Sequence, residues 1–362
     1  MKSGPRTHAV IMAGGVGARF WPLSRHRRPK QFLPIVGSKT LFEETVERLR
    51  PVLPDSRILT ISGAAQARTI RRLVPGLPAR NVLVEPAGRN TAASLILATA
   101  AVYLRDPGAV VFALPADHLI ADDELFLKKV GAAAEAAAED DVIVTFGIPP
   151  TYPSTGFGYI QFASGGRRRV GGEFFNPVLR FKEKPGLDQA REFITQGRHF
   201  WNSGMFFWRA EVFARKLEAC APDFYPFWTR TVSALKRRSR SEIVGVFREI
   251  PATSIDYALM EKADGVLMNE GNFGWSDVGS WVALADIWPA GEGGHAVRGE
   301  AVFVDSRDCL VYSPNKLTAV VGLKDVIVVD TPEALLVCHK DADQKVKEVI
   351  NLLKKSRRNK YL

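Results

Sequence analysis

Through the first 150 residues, short apolar runs of strand length alternate with longer segments whose apolar positions recur at helical spacing. Residues 9–12, 57–61, 81–84, 109–114 and 142–146 read as strands. Between them, Leu41–Leu49, 66–73, the alanine-rich 91–104 and 125–138 read as helices. This alternation predicts an α/β fold: a Rossmann-like, mainly parallel sheet with helices on both faces. Such sheets bind ligands outside the carboxyl ends of their strands, and the polar motifs of this chain mostly fall there. After Pro149 the pattern loosens, with glycine, proline and aromatic residues interspersed, as in a substrate-binding portion that continues the sheet. The run Pro289-Ala290-Gly291-Glu292-Gly293-Gly294 reads as a linker. Beyond it, short β-rich pieces at 301–304, 309–312, 318–321, 326–329 and 335–337 predict a small β-helix-like appendage. An amphipathic helix is expected over 343–355. The expected domains are therefore 1–289 and 295–362.

Composition narrows this little. The chain has 362 residues, 46% hydrophobic and 24% charged, enough for one large domain and a smaller one. Its net charge of +10 attracts polyanions. No recognition-helix, zinc or RNP signature accompanies that charge, so nucleic acid is not an expected partner. The run Lys236-Arg237-Arg238-Ser239-Arg240 reads as a solvated helix end. Cys220, Cys309 and Cys338, odd in number and far apart, suit neither a disulfide framework nor a zinc site. The first five residues lack the apolar core of a signal peptide, and no apolar run reaches membrane-spanning length. A cytoplasmic protein without membrane attachment is expected.

The densest chemistry follows the first strand. Ala13-Gly14-Gly15-Val16-Gly17-Ala18-Arg19 leads through Trp21-Pro22-Leu23-Ser24-Arg25-His26-Arg27-Arg28 to Pro29-Lys30-Gln31-Phe32-Leu33. Glycines let backbone N–H groups approach an anion, and Arg19 and Lys30 add charge suited to a polyphosphate. A Walker loop is excluded because no Lys-Ser or Lys-Thr follows the glycines at its spacing. A dinucleotide loop is excluded because Phe20 stands where its third glycine belongs. Asp117, in Pro115-Ala116-Asp117-His118, closes an apolar strand, where a carboxylate can hold a phosphate-bridging divalent cation or simply make a turn. Asp277 lies in the tight, aromatic loop Gly274-Trp275-Ser276-Asp277-Val278-Gly279-Ser280-Trp281.

These motifs, in this order, resemble the sugar-1-phosphate nucleotidyltransferases, and most closely their mannose-1-phosphate guanylyltransferase branch. The likeness runs from residue 8 to about 340. Phe20 stands where leucine is usual, and in Thr155-Gly156-Phe157-Gly158-Tyr159-Ile160, Phe157 stands where tyrosine is usual. The resemblance implies that Ala13, Gly14, Gly15, Gly17 and Arg19 hold a triphosphate and that Lys30 steadies it during transfer. It assigns Mg²⁺ to Asp117 and Asp277; His118 receives no catalytic role.

On the sugar-phosphate side, Phe181-Lys182-Glu183-Lys184-Pro185 matches the element in which Glu183 accepts from sugar hydroxyls and Lys184 grips the phosphate. Asn202, in Trp201-Asn202-Ser203-Gly204, is the implied sugar amide, and Gly158 brings backbone close to a hydroxyl. Ser254-Ile255-Asp256-Tyr257-Ala258-Leu259-Met260-Glu261-Lys262 resembles the guanylyltransferase version of another element, in which Asp256 either contacts the sugar or caps a helix. Glu85, Asn90 and Thr91, in Glu85-Pro86-Ala87-Gly88-Arg89-Asn90-Thr91-Ala92, resemble the guanine-side element. Glu85 and Asn90 suit guanine's donors and acceptor, while Asn90 or Thr91 equally suits a helix cap.

The resemblance thus implies a Mg²⁺-dependent enzyme joining GTP and mannose 1-phosphate into GDP-mannose and pyrophosphate, with no covalent enzyme intermediate. The alternatives are the same chemistry with glucose 1-phosphate and UTP or dTTP, or a non-catalytic nucleotide-sugar sensor on the same fold. Some bifunctional relatives carry a phosphomannose isomerase domain; the sequence ends too soon after its β-rich segment for one, and a single activity is expected. The C-terminal segment is the candidate homodimer contact.

Overall fold

The computed structural model describes residues 6–15 and 17–362; the first five residues, read above for a leader, and Val16 of the glycine loop lie outside the described residues. Two compact units emerge. The first comprises Met1–Gly14, Val46–Ala116 and Ile120–Trp275; the second comprises Gly15–Thr45, Asp117–Leu119 and Ser276–Leu362.

The first unit is built on a ten-stranded sheet. Its strands are β1 (Thr7–Met12), β2 (Ile58–Gly63), β3 (Val82–Glu85), β4 (Val110–Pro115), β5 (Ile143–Ile148), β6 (Tyr159–Phe162), β7 (Arg168–Val170), β8 (Glu173–Lys182), β9 (His199–Arg209) and β10 (Val266–Glu270). Their order is β3-β2-β1-β4-β9-β5-β10-β8-β6, with β7 on β8. β1 to β4, β5 and β10 share one direction, and β9 is inserted against them between β4 and β5. Ala9, Val10, Ile11, Val111 and Phe112 are fully buried, as befits strands covered on both faces. The helix Asn90–Tyr103 is apolar on every side and lies within the same core. β1 and β4 pair with Met12 opposite Pro115, so both leave the sheet at one end, where the strand order reverses.

The second unit carries β11 (Ala296–Val304), β12 (Leu310–Val321) and β13 (Val326–Asp330), three parallel strands, with β14 (Leu335–His339) antiparallel on β13. The tight turns between the parallel strands use left-handed Asp305, Asp308, Gly322 and Asp325, giving the β-helix-like coil. Residues 309–312 and 318–321, expected as separate strands, are one strand, β12. Its interior bulges past Gly299, whose φ of 114° puts a would-be Cβ 2.0 Å from the Ser313 carbonyl oxygen. The terminal helix covers Val346–Lys355, preceded by a 3₁₀ segment at Lys340–Lys345 that the sequence pattern folds into the helix.

The core of this unit joins Phe20, Trp21, Leu23, Leu33 and Ile35 to Trp281, Trp288, Leu310, Ile327, Val329 and Leu336. Three indoles anchor backbone carbonyls: Trp288 to Ile35 at 2.8 Å, Trp21 to Tyr361 at 2.8 Å and Trp281 to Trp21 at 3.3 Å. Among the described residues, no helix is long and apolar enough to cross a membrane.

Candidate active site

The glycine loop, Lys30, Asp117 and Asp277 come together within the second unit. Gly15 and Gly17 have φ of 86° and 70°, and a Cβ on Gly17 would lie 2.3 Å from the Lys30 Cβ. Glycine is therefore what lets the lysine pass close beside the loop. The loop is pinned by Ser24 Oγ donating to the Gly17 carbonyl at 2.5 Å and Gln31 Nε2 donating to the Gly15 carbonyl at 3.3 Å. Buried Phe20 places its ring centroid 5.7 Å from the Lys30 ammonium, a cation–π contact. Lys30, itself buried, points its Nζ at Asp117 Oδ2, 2.9 Å away, and donates to the Asp277 backbone carbonyl at 2.6 Å.

The two aspartates titrate in opposite directions. Burial pushes the Asp117 carboxyl up, but Lys30 and His118 more than offset it and leave it below the usual carboxylate value. Burial raises Asp277; Lys30 and Arg19 pull it down, and Asp117 pushes it up again. Asp277 sits in a turn strained at Val278, a fully buried β-branched residue with φ of 46°. Next to it, Gly279 leaves room where a Cβ would come 2.7 Å from Asp277 Oδ2.

Two neighbouring hard carboxylates, one of them kept from ionising easily by burial and its neighbour, suit a divalent cation. Among the described residues no cluster of three or more His, Cys, Asp or Glu is placed for a metal. A cation here would thus complete its shell from phosphate oxygens and water, the usual habit of Mg²⁺. A hollow of about 150 Å³ is lined by Arg19, Lys30, Asp117, His118, Asp277 and Lys347. Arg19 Nε is buried with no hydrogen-bond partner among the described residues, so the guanidinium has capacity for an anion. Lys347, on the terminal helix, has no sequence signal beyond its basic face; only the packing of the unit brings it here.

A second cluster forms in the first unit. β6 and β8 pair with Tyr159 opposite Lys182, which brings Gly158 and Glu183 to the same end. A Cβ on Gly158 would lie 2.5 Å from Glu183 Oε2. The Gly158 carbonyl accepts from Asn202 N at 2.8 Å, and Asn202 Nδ2 donates to Asp256 Oδ1 at 2.7 Å. β9 bulges between Asn202, the last residue paired before the irregularity and opposite Gly147, and Phe206. Glu183 pairs with Lys184, whose φ is 41°. Glu261, which the sequence motifs do not single out, accepts from Glu183 N at 3.0 Å and fixes this turn. Burial, then the neighbouring Glu183, raises the Asp256 carboxyl to about 6. Phe157 forms an aromatic wall with Trp201 and Trp275, at 4.9 and 5.4 Å between ring centroids.

The remaining predicted residues divide. Buried Glu85 accepts from the Ser94 hydroxyl, and its carboxyl is raised by burial. Asn90 opens its helix with φ of 64° and accepts from Thr91 N at 2.8 Å. Thr91 Oγ1 accepts from Ile255 N at 2.8 Å, tying this helix start to the segment bearing Asp256. Ala13, fully buried, donates to the Ile61 carbonyl at 2.9 Å, and Gly14 ends the first unit's opening segment.

Comparison with known proteins follows the same division. A family profile described as Nucleotidyl transferase matches residues 8–292, and one described as MannoseP isomerase/GMP-like beta-helix domain matches residues 299–353. A mannose-1-phosphate guanylyltransferase of Salmonella muenchen is 36% identical over 97% of this chain and 74% of its own length. The alginate biosynthesis protein AlgA of Pseudomonas putida is 37% identical over 95% of this chain and 71% of its own. A crystal structure from Thermus thermophilus, titled mannose-1-phosphate geranyltransferase, superposes with a TM-score of 0.86 at 34% identity, covering 96% of this chain and 99% of that one. The chain belongs to the nucleotidyl transferase family, in its mannose-1-phosphate guanylyltransferase branch.

Proposed function

We propose that this chain transfers GMP from GTP to α-D-mannose 1-phosphate, giving GDP-mannose and pyrophosphate. The observation that carries the reading is the Lys30 ammonium set against Asp117 and the Asp277 backbone, beside a glycine loop bearing Arg19. The sugar-phosphate oxygen attacks the α-phosphorus in line, the bond to the β-phosphate breaks, and pyrophosphate departs. The backbone of Gly14, Gly15 and Gly17 cradles the phosphates, with Ala13, its N–H held by the Ile61 carbonyl, anchoring the start of the loop to the sheet, while Arg19, Lys30 and Lys347 take up charge on the leaving group. Mg²⁺, when bound at Asp117 and Asp277, supplies charge neutralisation between the reacting phosphates.

Lys184 holds the phosphate of the sugar. Glu183 and Asp256 accept from its hydroxyls, and Asn202 and Gly158 shape the polar rim. Glu85, through the oxygen not engaged by Ser94, and Asn90 meet guanine, with Thr91 holding the helix start in place. The functional division is 1–289 for transfer and 295–362 for the β-rich part, although packing draws Gly15–Thr45 into the latter's unit. A homodimer through the C-terminal part is supported by exposed Val302, Val304 and Val321, the last two paired across β11 and β12. A cytoplasmic location suits substrates that are free nucleotides and sugar phosphates.

The test is pyrophosphate release with mannose 1-phosphate and each of GTP, UTP and dTTP. GTP should be preferred, chelation should abolish release, and Mg²⁺ should restore it. Preference for UTP or dTTP with glucose 1-phosphate would overturn the substrate assignment. Binding of GDP-mannose without any release would leave a sensor.

A further inference from the structure

A cavity of about 240 Å³ lies in the first unit, on one face of β6, β8 and β9. Strand pairing gathers its strand residues there: Tyr159 stands opposite Lys182, Gln161 opposite Arg180, and His199 opposite Gln161. The alternate residues Ile160, Phe181 and Phe200 turn the other way, into the core. The helix Leu187–Gln196 closes the far wall with Glu192, Phe193 and Gln196. None of these side chains has a role at either cluster described above.

Two kinds of unmet demand meet in this wall. His199 is only 4% exposed, and its ring stacks on Phe193 at 4.1 Å between centroids. The ring also makes a hydrogen bond to the Phe193 backbone, yet Nδ1 has no partner among the described residues. Burial lowers the ring's pKa, and the opposing influence of Glu192 does not restore it, so at neutral pH Nδ1 is a bare acceptor. A buried acceptor left unpaired is costly, and a hydroxyl satisfies it. The second demand is for negative charge. Arg180 and Lys182 line the cavity without a carboxylate partner among the described residues. Glu192, the one carboxylate of the lining, is engaged by Gln196 Nε2 at 2.8 Å. The Tyr159 hydroxyl is spent on the Ser154 carbonyl at 3.0 Å. A ligand that answers both demands is an oxyanion that also carries a hydroxyl.

We propose that this cavity binds inorganic phosphate as its monohydrogen dianion, whose charged oxygens meet Arg180 and Lys182 and whose hydroxyl donates to His199 Nδ1. Sulfate and phosphate monoesters are also dianions above neutral pH but carry no hydroxyl on the anion. The imidazole therefore selects free phosphate from both. The strands place the site next to the sugar-phosphate cluster in sequence, since Tyr159 follows Gly158 and Lys182 precedes Glu183.

Nitrogen-15 spectra of the histidine rings read the site directly. The chain has six histidines, and replacing each in turn by glutamine assigns them, by elimination if His199→Gln does not fold. At about pH 8, added sodium phosphate should move the His199 Nδ1 signal away from the bare-acceptor position. Sodium sulfate and methyl phosphate should leave it in place or require about tenfold more anion. The double variant Arg180→Gln/Lys182→Gln, which leaves the ring untouched, should raise the phosphate needed for the shift by about tenfold or more. Lys30→Met should not change it, which separates this site from phosphate held at the glycine loop. No shift with phosphate, an equal shift with sulfate or methyl phosphate, or a shift indifferent to the double variant overturns the proposal. The readout involves no turnover, so failure of the proposed transfer reaction would leave it intact and the two outcomes are distinguishable.

Discussion

Asp256→Asn should make the protein more stable at neutral pH while impairing sugar recognition. The Asp256 carboxyl is raised to about 6 from an ordinary value of 3.8, chiefly by burial and then by Glu183. A raised folded value means that the folded chain favours the protonated acid. That stabilisation is fully present below the unfolded value and is lost as pH rises through the folded one. The gap of roughly two units, at 1.36 kcal/mol each, makes the ionised carboxylate cost about 3 kcal/mol. Solvent reaching the rim of this half-buried residue lowers that to about 2 kcal/mol. Asparagine copies the neutral acid and keeps an oxygen for Asn202 Nδ2, which now stands 2.7 Å away.

Urea unfolding at a series of pH values should therefore show the variant ahead by about 2 kcal/mol near pH 8, the lead closing by about pH 4. Transfer should fall with a raised KM for the sugar phosphate, because a neutral amide accepts a hydroxyl less well than a carboxylate does. A variant no more stable than wild type near pH 8, or a lead that does not shrink on acidification, would refute the assignment of burial as the cause.

Gly17→Ala forces a Cβ to 2.3 Å from the Lys30 Cβ at a φ of 70°, and neither atom can yield without moving backbone. It should cost about 1–3 kcal/mol in thermal unfolding and lower kcat at least about tenfold, since Lys30 is displaced from Asp117. Gly158→Ala makes the opposite case: the Cβ's one close approach is to the far end of Glu183, at 2.5 Å, which can swing aside, while Asn202 Cβ at 3.5 Å and Glu183 Cα at 3.7 Å are ordinary contacts. Stability should change by less than about 0.5 kcal/mol, while KM for the sugar phosphate rises several-fold at little change in kcat.

Much of the architecture is legible from periodicity. Parallel strands buried on both faces read as plain apolar runs, and β1, β2, β4 and β5 lie within a residue or two of their expected places. The antiparallel insertion of β9 is not legible, because strand direction is set by long-range pairing and leaves no local pattern. β12 reads as two strands because Pro314-Asn315-Lys316 has turn composition; it forms a bulge instead, which Gly299 accommodates. At the site, motif order points to Lys30, Asp117 and Asp277, yet nothing in sequence signals that Lys30 also bonds the Asp277 backbone. Glu261 and Lys347 escape for the same reason: each serves through a contact made at long range. Thr91, which reads as base contact or cap, also holds the segment leading into Asp256, a contact with no local sequence signal.

The indole anchors have a consequence for inheritance. Trp21, Trp281 and Trp288 bind residues 15–45 and the β-helix into one hydrophobic body. A chimera that swaps the C-terminal segment alone with that of a relative would set a foreign surface against Phe20 and Trp21, and the glycine loop would lose its footing. Swapped together with residues 15–45, the same segment should transplant cleanly. The two stretches, distant in the gene, are expected to drift as a pair.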